Sequence, residues 1–141
     1  LMTAREGLQK FPSNKYVARF TGAYAFDNAH PLKGLRLGTS VRWASAPIIG
    51  YYKTASSAYD GSRPYKGDEE FIVDPFISYK RRLTKDINWT IQLNIKNVFD
   101  EHGPKPTGAV NNIDGPDYEW IEFRNEAIDG RVFILTNTLS F

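Results

Sequence analysis

RVFILTNTLSF, residues Arg131–Phe141, alternates with period two along its whole length. Phe133, Leu135, Leu139 and Phe141 fall on one face, broken only by Asn137, and Val132, Ile134, Thr136, Thr138 and Ser140 fall on the other. Period two belongs to the β-strand, whose successive side chains leave opposite faces. Chain ends fray unless they are tied down. An aromatic side chain at Phe141 therefore predicts a strand that is paired and has its apolar face covered.

Four earlier segments carry the same signature. KYVARFTGAYAF (Lys15–Phe26) aligns Tyr16, Ala18, Phe20, Gly22, Tyr24 and Phe26, and LRLGTSVRWA (Leu35–Ala44) aligns Leu35, Leu37, Thr39, Val41 and Trp43. FIVDPFISYK (Phe71–Lys80) aligns Phe71, Val73, Pro75, Ile77 and Tyr79. NWTIQLNIKNVF (Asn88–Phe99) aligns Trp89, Ile91, Leu93, Ile95, Asn97 and Phe99. None of the five faces holds an Asp, Glu, Lys or Arg, although 24% of the chain is charged. Such faces are suited to an apolar medium. The opposite faces mix Arg19, Arg36, Arg42, Asp74 and Lys96 with small hydroxyl and amide side chains. Pro75 removes a ladder hydrogen bond and predicts a bulge or bend in its strand.

Alternation alone fits either a soluble sandwich or a membrane wall. Three features favour the wall. The segments are 10–12 residues long, the span of a tilted membrane strand, whereas globular strands average about 5–6. Aromatics gather at segment ends, at Tyr16, Phe26, Trp43, Phe71, Tyr79, Trp89, Phe99, Phe133 and Phe141, like two interfacial girdles. The connections Asp27–Gly34, Ser45–Glu70, Arg81–Ile87 and Asp100–Gly130 alternate short and long. Outer-membrane barrels have short periplasmic turns and long extracellular loops, so the two long connections are expected outside the cell. Both are rich in Gly, Pro, Asn, Asp, Ser and Tyr and read as loops.

Composition excludes several classes. No apolar run approaches the ~20 residues of a membrane helix. A net charge of +2 gives no argument for nucleic acid. Without cysteine there is no disulfide frame, thiolate nucleophile or zinc-finger site. No nucleophile elbow, phosphate-binding glycine loop or Ser–His–Asp set emerges, so the expectation is no enzyme and no cofactor. His30 and His102 read as surface side chains. Asn111–Asp117 is faintly like a calcium loop but lacks EF-hand spacing and reads as a turn. Leu1–Lys10 has no charged n-region followed by an apolar core.

The order of segments resembles the late barrel of TonB-dependent outer-membrane receptors. FPSNKYVARFTGAYAF followed by PLKGLRLGTSVRWAS looks like their Pro-led descending strand, glycine turn and ascending strand. EEFIVDPFISYK, NWTIQLNIKNVFDE and RVFILTNTLSF are similar to three further strands, the last closing the barrel. The resemblance covers Phe11–Phe141. It implies an all-β fold: a transmembrane antiparallel β-barrel segment, a five-strand up-and-down meander forming the last strands of a 22-strand barrel in a bacterial outer membrane. It also implies energy-dependent uptake of a scarce nutrient: siderophore-iron, cobalamin or glycan. The implied partners are the lipid bilayer, the plug and remaining strands of the same receptor, an inner-membrane energy-transducing complex, and the barrel-assembly machinery, which reads Phe141. Five strands cannot close a lipid-facing barrel, so a C-terminal part of a longer receptor, without its plug, is expected.

Candidate sites divide into two groups. Tyr51, Tyr52, Tyr59, Tyr65, Tyr118 and Trp120 lie in the long connections, and aromatics with a polar handle suit a wet small-molecule site. They also suit plain loop packing. Arg19, Arg36, Arg42, Asp74 and Lys96 are expected to face the lumen and the plug. Asn97-Val98-Phe99-Asp100 reads as a strand-exit turn with Phe99 in the girdle. Two alternatives stay open: a soluble β-sandwich or meander binding module, and a small outer-membrane protein building a composite barrel.

Overall fold

A computed structural model describes residue 10 and residues 12–53, 59–111 and 120–141; side chains at 53, 110, 111 and 120–125 are not described. The described residues form nine strands and no helix. They are β1 (Val17–Ala25), β2 (Leu35–Ala44), β3 (Ile48–Lys53), β4 (Tyr59–Lys66), β5 (Glu70–Arg82), β6 (Asn88–Lys96), β7 (Gly103–Asn111), β8 (Trp120–Ile128) and β9 (Val132–Ser140). The all-β, antiparallel expectation is met.

The five alternating segments become β1, β2, β5, β6 and β9, which form one sheet in that order. β5 and β6 pair in register from Phe76↔Asn94 to Arg82↔Asn88, and β6 and β9 from Asn88↔Ser140 to Lys96↔Val132. Directly opposed residues share a face, so Ile77, Leu93 and Leu135 form one row across three strands. The sheet is open, with β1 and β9 as its edges.

The two long connections are not loops. Ser45–Glu70 contains the β3–β4 hairpin and Asp100–Gly130 contains the β7–β8 hairpin. Bulges hide both from a period-two reading. The register shifts between Ile48 and Gly50, between Tyr51 and Lys53, and on both sides of Gly108. Each shift flips the side chains that follow to the other face.

The chain divides into two compact units. One comprises Leu1–Ala18, Trp43–Glu70 and Gly103–Ile128. It holds most of the buried apolar side chains: Ala44, Tyr51, Ala109 and Ile49, the last fully enclosed at 0% exposure. A Lys105–Glu70 ion pair at 2.7 Å, 15% exposed on each side, lies within this unit. Gly67 donates its N–H to the Pro47 carbonyl at 2.9 Å.

The other unit comprises Arg19–Arg42, Phe71–His102 and Asp129–Phe141 and is essentially the five-stranded sheet. Its apolar face is exposed in part and half-buried elsewhere. Phe20, Phe133 and Leu135 are 63%, 61% and 62% exposed, and Tyr24, Leu37, Ile77 and Leu139 are also exposed. A charge-free face is a correct description with one exception. β5 runs on to Arg82, which brings Arg81 onto the apolar face at its end.

Strand ends differ where turns intervene. β6 stops at Lys96 rather than Phe99, because Asn97 has φ 51°. That left-handed conformation takes the backbone out of the ladder. Phe99 therefore lies beyond the strand, exposed and stacked on Phe71 with ring centroids 6.1 Å apart. Strand β5 passes through Pro75, but its pairing with β6 begins only at Phe76.

Candidate functional surfaces

The polar face of the sheet is basic. The bond from Phe26 N to Leu35 O fixes how β1 meets β2, and in that register Arg19 and Arg42 share the polar face. Arg36, Lys80, Arg82 and Lys96 also fall on it, with Asp74 as its carboxylate. Arg19, Arg36, Arg42 and Lys96 are exposed. Arg36 carries its guanidinium 5.5 Å from the centroid of the Phe76 ring. Phe76 in turn lies over Gly38, where an added methyl would overlap the ring and crowd the Gly22 carbonyl. An aromatic covering a strand glycine across a pair fills the gap the glycine leaves.

Asp74 is occupied locally. Its Oδ1 accepts the Asn97 N–H at 2.8 Å, and Val98 N donates to the Val73 carbonyl at 3.0 Å. These bonds continue the β5–β6 contact below Pro75. The Asn97 side chain is buried and fully used. Its Nδ2 donates to the carbonyls of Glu101 at 2.6 Å and Asp129 at 3.0 Å, and its Oδ1 accepts the Glu101 N–H at 3.1 Å. Asp100, at φ 59°, accepts the Arg131 N–H at 2.7 Å, and Arg131 donates to the Val98 carbonyl at 3.2 Å. The Asn97–Asp100 turn thus clips the end of β6 to the start of β9. The Arg131 N–H bond, assisted by the charges of His102 and Arg131, holds the Asp100 carboxyl below its ordinary value.

The connection tyrosines separate. Tyr51 is 5% exposed and packs inside its unit, so it offers no platform to a ligand; the alternation that would have flagged this is broken by the bulge beside it. Tyr52, Tyr59 and Tyr65 are half-buried on the β3–β4 hairpin. The Arg63 guanidinium stacks on Tyr52, 4.2 Å from the ring centroid. Stacking leaves the planar fork free to donate to a carboxylate or phosphate. The sequence does not single out Arg63, because the whole Ser45–Glu70 connection reads as a loop. Asp60 does bond locally: Ser62 Oγ and Ser62 N donate to its Oδ1 at 2.6 and 3.0 Å, which lowers its carboxyl below the usual value. Tyr118 lies outside the described residues. Trp120 opens β8 opposite Asn111, and its side chain is likewise not described.

The histidines serve turns. His30 Nδ1 accepts the Leu32 N–H at 3.1 Å. His102 Nδ1 lies 2.6 Å from the Asp100 carbonyl oxygen. Among the described residues, no group of three His, Cys, Asp or Glu is placed to hold a metal ion. Phe141 follows β9 and is 92% exposed. No protein-family profile, curated protein or solved structure matches the chain.

Proposed function

We propose that the chain is the C-terminal wall of a TonB-dependent outer-membrane receptor, taking part in uptake of a scarce nutrient. One observation carries this reading: the apolar face of the five-stranded sheet is exposed at Phe20 on β1, Leu37 on β2, Ile77 on β5 and Leu135 on β9, and half-buried at Leu93 on β6. Contiguous apolar patches beyond a few hundred Å² are rare on soluble monomers and mark a lipid or protein surface. The open edges support it too. β9 has no charge and no proline between Val132 and Ser140, so nothing guards it against pairing with another strand. In a 22-strand barrel both edges are paired.

In this reading the basic face lines the lumen and meets the plug, and the β3–β4 and β7–β8 hairpins are extracellular. Tyr52, Tyr59, Tyr65 and Arg63 are then the ligand-facing set, and Phe141 is read by the assembly machinery. The nutrient is a siderophore-iron complex, cobalamin or a glycan, and the work of uptake belongs to the plug and the energy-transducing complex.

Vesicle flotation tests the reading. The chain should float with phospholipid vesicles and need detergent to stay monodisperse. A monodisperse monomer in plain buffer that ignores vesicles contradicts it and favours a soluble binding module. A plug-like region encoded upstream separates the receptor from a composite barrel of short chains.

A further inference from the structure

Arg81 is the one charged side chain on the apolar face of the five strands. It lies one residue from the end of β5, level with Trp89 on β6, and Trp89 is level with Leu139 on β9. Among the described residues no carboxylate pairs with its guanidinium. This end of the sheet is basic: Lys80 and Arg82 flank Arg81 in sequence, and Lys33 and Lys85 lie in the two short turns, against the carboxylates of Asp27 and Asp86. Asp27 is already engaged, its Oδ1 accepting the N–H groups of Ala29 and His30 at 3.0 Å each.

From Arg81 the apolar face continues without a charge through Tyr79, Ile77 and Pro75. The six steps of strand from Arg81 to Pro75 span about 20 Å. The lane ends in a shallow depression of about 280 Å³, whose lining includes Leu37, Pro75, Ile77, Leu93 and Ile95 of the apolar face. A cation with no carboxylate partner among the described residues, beside an indole and above an apolar lane, has the layout of a lipid with its headgroup and acyl chain. Guanidinium binds phosphate through two parallel N–H bonds, and its methylene stem stays on apolar surface. Tryptophan favours the same headgroup level.

We infer that Arg81 receives the phosphate of an anionic phospholipid whose acyl chain lies along Tyr79 and Ile77 into the depression. The inference rests on the membrane-wall reading and names the lipid contact that the wall selects. It places this contact in the leaflet on the short-turn side.

The test uses the full chain with phosphatidylcholine vesicles and with vesicles in which phosphatidylglycerol replaces part of the phosphatidylcholine, at equal ionic strength. A single cation at a charged surface is worth about fivefold in partitioning, so the chain should partition about fivefold more strongly into the anionic vesicles. Arg81→Gln should remove most of that excess and leave partitioning into phosphatidylcholine unchanged, with a circular-dichroism strand signal equal to wild type showing that the variant folds. Arg82→Gln, on the opposite face, should keep the excess. An unchanged excess in Arg81→Gln overturns the inference and leaves the wall standing. An equal loss in Arg82→Gln also overturns it, in favour of a diffuse basic rim. No partitioning into either vesicle overturns the wall reading and the inference with it.

Discussion

The Asn97 backbone N–H donates to Asp74 Oδ1 across 2.8 Å, just below the point where Pro75 ends the β5–β6 ladder. A side-chain oxygen there takes up a backbone N–H that the interrupted ladder leaves free. Buried N–H groups are costly when unpaired, so the proline and the aspartate form one device. The same residue then turns the chain, because Asn tolerates φ > 0 better than other non-glycine residues.

Asn97 therefore combines strain relief with three side-chain bonds. Asn97→Ala should cost about 2–4 kcal/mol, from unsatisfied buried carbonyls and an unfavourable φ. Asn97→Gly removes the bonds but not the conformational freedom, and should cost less than Ala. Urea midpoints of the refolded chain in detergent measure both. Equal midpoints for the two variants would mean that backbone strain plays no part.

Gly38 and Phe76 should be coupled. A methyl at Gly38 overlaps the Phe76 ring, and overpacking of this kind costs about 1–3 kcal/mol. Gly38→Ala alone should destabilise the sheet, whereas adding Phe76→Leu should recover part of the loss. A strictly additive double-mutant cycle would contradict the packing described.

Acid should loosen the clip between β6 and β9. The Asp100 carboxyl is lowered in the folded chain, so its stabilisation is present above the unfolded carboxylate value of about 3.9 and is lost as pH falls through the lower folded value. Asp100→Asn keeps an acceptor for Arg131 N–H and tolerates φ 59°, but has no proton to gain. Its stability should fall less steeply with acid below about pH 4. Parallel pH profiles for wild type and variant would remove Asp100 from the account. Asp60 is also lowered, and its contribution to the slope is common to both proteins.

The two sheet faces should respond differently to arginine. Leu93 sits between Ile77 and Leu135 in register, and Gln92 lies on the polar face. On the proposed lipid-facing wall, Leu93→Arg should lower folding yield in lipid by far more than Gln92→Arg, since a midplane arginine on a barrel's lipid face costs about 2–4 kcal/mol. Equal yields would contradict the facing assignment.

The five long strands were legible because their alternation is uninterrupted over the stretch that pairs. The hairpins were not. Pro64 in β4 and Pro104 and Pro106 in β7 remove donors, and the bulges around Gly50 and Gly108 shift the phase. Alternation also carried the fourth segment too far. Phe99 keeps the phase that Trp89 begins, but φ at Asn97 ends the strand, and sequence period does not report φ. Of the candidate site, the basic face could be read from phase alone. The burial of Tyr51 and the stacking of Arg63 on Tyr52 depend on bulged pairing and could not.

Solvent accessibility along β9 tests the wall most directly. Single nitroxide labels at each position from Val132 to Ser140, with the chain refolded into lipid vesicles, report collisions with oxygen and with a water-soluble nickel complex. The account predicts period two: oxygen collisions high at Phe133, Leu135, Asn137 and Leu139, and nickel collisions high at Val132, Ile134, Thr136 and Thr138. Nickel collisions that are uniformly high along the strand, with no excess of oxygen at Phe133 and Leu135, would contradict a lipid-facing sheet.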